Sequence, residues 1–400
     1  MRLILLASVY PPQRSSGAVQ MRDLSLELVR QGHDVTMLVP FSGQKDTWRI
    51  EDLVGVRVVY LKSLPTTDQS HFRRTIGELL MPLMMLLHWH ATPLKDERWD
   101  GVVWYSPTIF LGPVVHVLKF FSKCRSYLIL RDIFPEWAVD MDLIRYKSFP
   151  YRFFKTVANY QYSVADVIGV QSEGNRSYFQ RWEENKHKRL EVLHNWLATV
   201  PANGSSIVIR DTCLAGRNIF VYAGNMGVAQ GIWVLMELAS ELRTRSDIGF
   251  VFVGRGSEVK KMREYAESSR LDNTLIFDEV DPDEIPALYT QCHVGLLALD
   301  SRHKTHNIPG KFLSYMQAGL PVLAVVNAEN DIVSLIEQEG VGQVCTDPAV
   351  AVLASKAEML LDGLKEGEDY SGRCKKLASR QYSPEVAARQ IIHAFSIEKD

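Results

Sequence analysis

Two doubly wound parallel α/β sheets, joined by a short linker, are what this 400-residue chain predicts. Three observations carry that expectation. Short runs of continuous apolar residues, the mark of strands covered on both faces, alternate with stretches of helical period. The alternation begins at Leu3, halts near Trp196 and begins again at Asn218. Between the two series, residues 197–206 carry Pro201, Asn203, Gly204, Ser205 and Ser206, a linker composition.

Composition sets the outer bounds. With 46% hydrophobic, 10% aromatic and 23% charged residues, the chain buries sizeable cores and is not disordered. Its length fits two or three domains. A formal net charge of −2 gives no support to nucleic-acid binding. Five cysteines without C-x-x-C spacing fit a reducing compartment better than a disulfide scaffold or a structural zinc site. The opening MRLILLASVYPP has too short an apolar run for a signal peptide and reads as a first strand. No apolar run reaches the roughly 18 residues of a membrane span, so a soluble or peripheral protein is expected.

The first series starts with a buried strand at residues 3–6 and a loop ending at Gly17. A helix over 19–30 and a strand over 35–39 complete a βαβ unit. Gly17 either lets a phosphate approach the backbone or simply makes a turn. The absence of G-x-G-x-x-G argues against a dinucleotide cofactor. Further strands are expected at 56–60, 101–105, 127–130, 167–170 and 191–193. Residues 73–95 form a helix with an apolar centre, cationic flanks and Trp89 near one end. It suits either an interfacial helix on a bilayer or a buried core helix, with Pro82 kinking it or marking its start. RDIFPEW, residues 131–137, follows a strand directly, where parallel sheets line their ligand crevice. Asp132 and Glu136 are therefore candidates to orient an acceptor hydroxyl. The alternatives are an Arg131–Asp132 ion pair or a helix cap.

The second series runs through a strand at 218–223 and the glycine-rich turn 224–227. A helix over 232–243, a strand at 249–253 and the turn Gly254-Arg255-Gly256 follow. Strands at 274–277, 294–299, 321–326 and 342–345 continue it. The domains are expected at 1–196 and 207–382, with a helix at 383–400 crossing back to the first. The most informative stretch is 296–326. A strand ends in a loop rich in Arg, His and Lys, Pro309 opens a helix, Gly319 caps it and another strand follows. Lys311 lies in that helix's first turn, where it opposes the macrodipole at a cost of a few tenths to about 1 kcal/mol. A bound phosphate would reverse the sign; otherwise the flexible stem carries its charge into solvent.

Fold alone does not choose a function. The succession YPP…G, QGHDVTMLVP, EVLHNW, FVYAGNMGVAQG, FVFVGRGSE and IPGKFLSYMQAGLPVLA resembles family 4 glycosyltransferases over essentially the whole chain. LILRDIFPEWAVDM, ADVIGVQSEGN and NIPGK are similar to the bacterial WbuB-type L-fucosamine (L-FucNAc) transferases of surface-polysaccharide assembly. The resemblance implies the GT-B fold, two Rossmann-like domains facing across a cleft. It also implies retaining transfer from a nucleotide sugar, UDP-linked, with no cofactor and no protein-bound metal. The acceptor would be a polyprenyl-diphosphate-linked saccharide at the inner leaflet of the cytoplasmic membrane.

Carried onto this chain, the donor-binding candidates are Gly17, Asn225, Gly227, Arg255, His306, Pro309, Gly310, Lys311, Glu329, Asn330 and Asp331. Asp331 is equally readable as a plain N-cap. The acceptor-binding candidates are Ser106, Arg131, Asp132 and His194, and the catalytic ones Asp132, Glu136 and Lys311. Departures matter. The family's paired glutamates fall on His306 and Ser314, and its usual Arg and Lys on Asn225 and Gln230. More of the donor grip is thereby left to Lys311, Arg255 and the loop residues Arg302, His303 and His306. A UDP-sugar epimerase on the same fold and a non-catalytic nucleotide-sugar-binding scaffold are the alternatives.

Overall fold

The computed structural model describes every residue except 14, 67–69, 181–187, 300–307, 348 and 397–400. The chain divides into two units, one of residues 1–197 with 384–400 and the other of residues 198–383. Each is a Rossmann-like α/β domain built on its own sheet.

The first sheet has eight strands: β1 (Arg2–Leu6), β2 (Asp34–Phe41), β3 (Trp48–Leu53), β4 (Val56–Lys62), β5 (Gly101–Ser106), β6 (Arg125–Leu130), β7 (Val167–Val170) and β8 (Arg189–Val192). Their order is β3-β4-β2-β1-β5-β6-β7-β8, parallel throughout except for the antiparallel β3–β4 pair. The chain order reverses beside β1, which lies between β2 and β5. β3, WRIEDL, is absent from the sequence reading because it is a part-exposed edge strand carrying the charged Arg49, Glu51 and Asp52, not a buried apolar run.

Helices Gly112–Ser122, Phe149–Val164 and His71–Trp89 cover one face of this sheet, packing Val114, Leu118, Ala158, Met81 and Met85 over Leu6, Trp104 and Leu128. Ser16–Arg30 and the C-terminal helix Pro384–Ser396 cover the other. That last helix inserts Ala387, Ala388, Ile391 and Ala394 beside Leu24 and Tyr127. It lies so close to β5 that a Cβ on Gly101 would fall 2.8 Å from the Phe395 ring. Gln390 donates to the Glu191 carboxylate at 3.0 Å, which also accepts from Tyr127 Oη at 2.6 Å.

The helix expected to be either interfacial or buried has one buried face and one exposed apolar face. Met81, Met85 and Trp89 are in the core, and Trp89 packs on Trp99 rather than facing a membrane interface. Ile76, Leu79, Leu80, Leu83 and Leu87 are exposed. Pro82 sits inside the helix, neither starting nor ending it.

The second sheet comprises β9 (Asn218–Ala223), β10 (Ile248–Val253), β11 (Thr274–Phe277), β12 (Val294–Ala298), β13 (Val322–Val325) and β14 (Gly342–Cys345). It is entirely parallel, in the order β11-β10-β9-β12-β13-β14. The order reverses between β9 and β12. In open parallel sheets that switch point leaves a crevice beyond the strand C-termini, where ligands bind. Trp233–Glu241, Val259–Ser268 and Val350–Lys365 pack on one face, around Phe220, Phe250 and Leu296.

Replacing Ile391 with Asp would place a carboxylate in the core under the C-terminal helix, at a cost of roughly 3–5 kcal/mol. Urea unfolding followed by circular dichroism should show the loss, whereas the exposed change Glu385→Ala should leave the midpoint within error.

Candidate active site

At the switch point of the second sheet, two strand-end loops lock together through their backbones. The Gly224 N–H donates to Val253 O at 2.9 Å, Met226 N–H to Arg255 O at 2.8 Å and Glu258 N–H to Met226 O at 3.1 Å. The approach is too close for side chains. Gly254 and Gly256 hold φ of 145° and 155°, and a Cβ on either would fall 2.0 Å from Gly224 O or 2.3 Å from Met226 O. Only glycine meets both the conformation and the contact. The two glycine turns found in the sequence thus make one rigid ledge.

Lys311 reaches this ledge from the far side of the reversal. Its helix, Gly310–Ala318, starts one residue before the expected Lys311, and Pro309, with φ −64° and ψ 142°, is in the N-cap position rather than in the first turn. Gly319 ends it at φ 76°, as read from the sequence. The Lys311 ammonium donates to Tyr222 Oη at 2.9 Å and Gln230 Oε1 at 3.0 Å, and lies 4.4 Å from the Tyr222 ring centre. The Tyr222 hydroxyl in turn donates to the Asn225 carbonyl at 2.7 Å. No carboxylate of the described residues pairs with Lys311. Burial pushes its pKa down to about 8, because desolvation disfavours the charged form. Space beside Gly310 is open, so a ligand can approach the first-turn N–H groups. The result is a cation held by neutral partners at a helix N-terminus, an arrangement suited to an anion.

Tyr222 and Gln230 were not chosen as site residues from sequence. The available signal was a tyrosine ending the otherwise apolar strand NIFVYA, whose hydroxyl needs a polar partner.

The other donor candidates divide. Asn225 and Gly227 belong to the ledge turn, with Asn225 exposed. Arg255 also stands there, but its side chain is 76% exposed and pairs with Glu279 at 3.3 Å. Glu329, Asn330 and Asp331 lie one strand further on, beyond β13. Asn330 rather than Asp331 is the N-cap, its Oδ1 accepting from Ile332 N–H at 3.1 Å, and Asp331 opens the helical turn. His306, with Arg302 and His303, lies outside the described residues. Ser314 is half-buried and donates to Gly310 O at 3.3 Å.

In the first domain, the structure gives Gly17 a packing role. A Cβ there would come within 3.0 Å of the Tyr105 ring, whose hydroxyl donates to Gln20 Oε1 at 2.8 Å. Arg131 is buried. Its guanidinium donates to Leu193 O at 2.6 Å and His194 O at 3.4 Å, and stacks over Trp196 at 5.0 Å. Desolvation lowers its pKa to about 10. Arg131 thereby fixes the segment carrying His194. Asp132 is half-buried just beyond β6. Glu136 is engaged by Lys155 and by Tyr151 Oη at 3.5 Å, so one of its oxygens is already committed. Ser106 is fully buried at the end of β5, its hydroxyl without a hydrogen-bond partner.

Two parallel-sheet Rossmann-like domains of this kind define the GT-B class. Residues 217–363, which contain the ledge and Lys311, match the family model described as glycosyl transferases group 1. Over its full length the chain is similar to the putative colanic acid biosynthesis glycosyl transferase WcaI of Escherichia coli K12, at 23% identity covering 98% of this chain and 99% of that one. It is 26% identical to the probable glycosyltransferase WbjE of Pseudomonas aeruginosa over 63% of each chain. Among solved structures, sucrose-phosphate synthase of Thermosynechococcus elongatus superposes with a TM-score of 0.73 at 15% identity, covering 98% of both chains. HepE of Anabaena, in complex with UDP and glucose, gives 0.67 at 15% identity over 99% of both. These findings show the GT-B fold and a likeness of residues 217–363 to group 1 glycosyl transferases.

The depressed Lys311 pKa has a stability consequence. Between about pH 8 and 10.5 the unfolded chain holds a proton that the folded one has released, so stability rises with pH through that window. The unfolding free energy of Lys311→Met minus that of the parent should therefore fall from pH 8 to 10.5 and stay constant below pH 7.

Proposed function

We propose that the chain is a retaining glycosyltransferase that moves an N-acetylated deoxyhexosamine, L-FucNAc from UDP-L-FucNAc, onto a lipid-linked saccharide. The setting is bacterial O-antigen or capsule assembly at the inner face of the cytoplasmic membrane. The observation that carries the reading is the Lys311 ammonium, held among the described residues by the neutral Tyr222 and Gln230 beside a glycine ledge. The names of the relatives, a colanic acid glycosyl transferase among them, support the polysaccharide setting.

The donor diphosphate sits against the ledge, with Lys311 and the N–H groups around Gly310 facing it. As the bond from sugar C1 to the diphosphate oxygen breaks, charge grows on that oxygen. A fixed cation there is stronger in the transition state than in the ground state, and so lowers the barrier. The acceptor oxygen bonds to C1 on the same face and its proton passes to the leaving phosphate oxygen. No carboxylate nucleophile is required. On the acceptor side, Asp132, just beyond β6, orients the hydroxyl, while Glu136 is engaged with Lys155.

A scaffold that binds a nucleotide sugar without turning it over is the second reading, favoured by Ser314 and Gln230 where the family has charged residues. Saturation-transfer NMR against a panel of UDP-, GDP- and dTDP-sugars, joined to a turnover assay, separates the two. UDP-L-FucNAc should bind preferentially. Lys311→Met should weaken it by roughly 10–100-fold, the worth of one charge-assisted hydrogen bond. In the parent, affinity should fall as pH rises through about 8, and the variant should show no such dependence. Preference for another nucleotide sugar would replace the substrate, and binding without turnover would select the scaffold.

Asp132→Asn should lower kcat about tenfold or more with donor affinity unchanged. An unchanged kcat would remove Asp132 from the acceptor site.

A further inference from the structure

The helix His71–Trp89 is two-faced in a way its core contacts do not explain. Its inner face is accounted for by Met81, Met85 and Trp89 in the core. Its outer face carries Ile76, Leu79, Leu80, Leu83 and Leu87 at the i, i+3, i+4, i+7 spacing of one helical stripe. All five are exposed, Leu83 by 56% and Leu87 by 61%. The adjoining helix Gly112–Ser122 packs beside it and ends in Phe120 and Phe121, exposed by 71% and 54%. Single exposed apolar residues are ordinary, but a continuous row joined by two aromatic rings marks an interaction surface.

The charges around the row decide what covers it. Arg73, Lys95 and Lys123 are exposed, and none of them pairs with a carboxylate of the described residues. Arg98 gives its N–H groups to the carbonyls of Asp96 and Glu97 and lies 6.0 Å over the Phe121 ring. The acidic side chains nearby are mostly spoken for. Glu78 pairs with Arg74 at 2.9 Å, and Glu97 with Arg2 and Arg57. An apolar stripe rimmed by unneutralised cations, on a helix too short and too amphipathic to span, complements the surface of an anionic bilayer.

The opposite side of the same helix adds an orientation. Arg74, Glu78 and Met81 close a pocket of about 330 Å³ whose other walls are strand-end residues of the first sheet, Ser8, Ser42, Ser63 and Thr108 among them. With the row lying in the bilayer, that hydroxyl-rich pocket is held roughly one helix diameter, ~10 Å, from the lipid.

We propose that the row Ile76, Leu79, Leu80, Leu83 and Leu87, extended by Phe120 and Phe121, is the surface by which the first domain docks on an anionic lipid bilayer. The surface itself follows from exposure and charge. It rests on the lipid-linked acceptor reading only for what that bilayer carries.

The test is flotation of the full chain with vesicles of phosphatidylethanolamine and phosphatidylglycerol, compared with phosphatidylcholine alone. The parent should float with the anionic vesicles and be released by salt, because the cationic rim is screened. Leu83→Glu combined with Leu87→Glu should weaken the association by roughly a hundredfold, since two leucines lose their apolar burial. Both positions are exposed, and circular dichroism with UDP-sugar binding checks that the variant remains folded. Arg73→Glu with Lys123→Glu, which leaves every leucine in place, should reduce anionic-vesicle binding and abolish its salt dependence. Equal flotation of the leucine variant and the parent, or no flotation of the parent, overturns the proposal. Either result leaves donor binding, and with it the transferase reading, standing. Vesicle binding lost in the leucine variant of a protein that shows no transfer upholds the surface and sets aside the transferase instead.

Discussion

A lysine ammonium satisfied by a phenol and an amide oxygen is the interaction on which this account of the molecule depends. A carboxylate partner would cancel its charge and leave it inert. Tyr222 and Gln230 orient Lys311 without neutralising it, so the free energy lost on burying the charge is recovered only when an anion arrives. The sheet topology makes this possible. β9 supplies the tyrosine and the glycine turn, while Lys311 comes from the helix after β12, across the reversal of strand order. The close approach of the loops after β9 and β10, which requires glycine at 254 and 256, gives the lysine a fixed ledge to face.

The first domain is organised by a different kind of contact. Arg131 ties the end of β6 to the segment after β8 through two backbone carbonyls and the Trp196 ring, and Trp196 donates to Gln20 O at 2.7 Å. Gln20 accepts from Tyr105, which also packs on Gly17. The strand ends on either side of β1 are thus joined by buried polar contacts, which specify geometry tightly when satisfied. The unpartnered Ser106 hydroxyl lies at this reversal, as a buried group awaiting a ligand would. The C-terminal helix completes the core behind it, with Gln390 and Tyr127 sharing Glu191.

Much of this was legible in the sequence because buried parallel strands are written as plain apolar runs. β7, β9, β11 and β14 lie where those runs place them. β3 was not legible, since an edge strand with three charges among six residues looks like a loop. Residues 73–95 resisted a single reading because an apolar stretch of that length is the same string whether it faces a core or a lipid; the structure buries Met85 and leaves Leu87 exposed. Lys311 could be found from its misfit with the helix dipole. Its partners could not, because Tyr222 and Gln230 lie more than eighty residues away in sequence. Glu136 looked like a free carboxylate at a strand end, and nothing local announced Lys155. The one-residue offsets at Pro309 and Asn330 are cap geometry, which composition does not resolve.

The most direct test of the central claim is a crystal structure of the protein with UDP bound. The account predicts the β-phosphate against the turn at Gly224, with one of its oxygens ~3 Å from Lys311 Nζ. A diphosphate seated elsewhere, with Lys311 still engaged only by Tyr222 and Gln230, would contradict it.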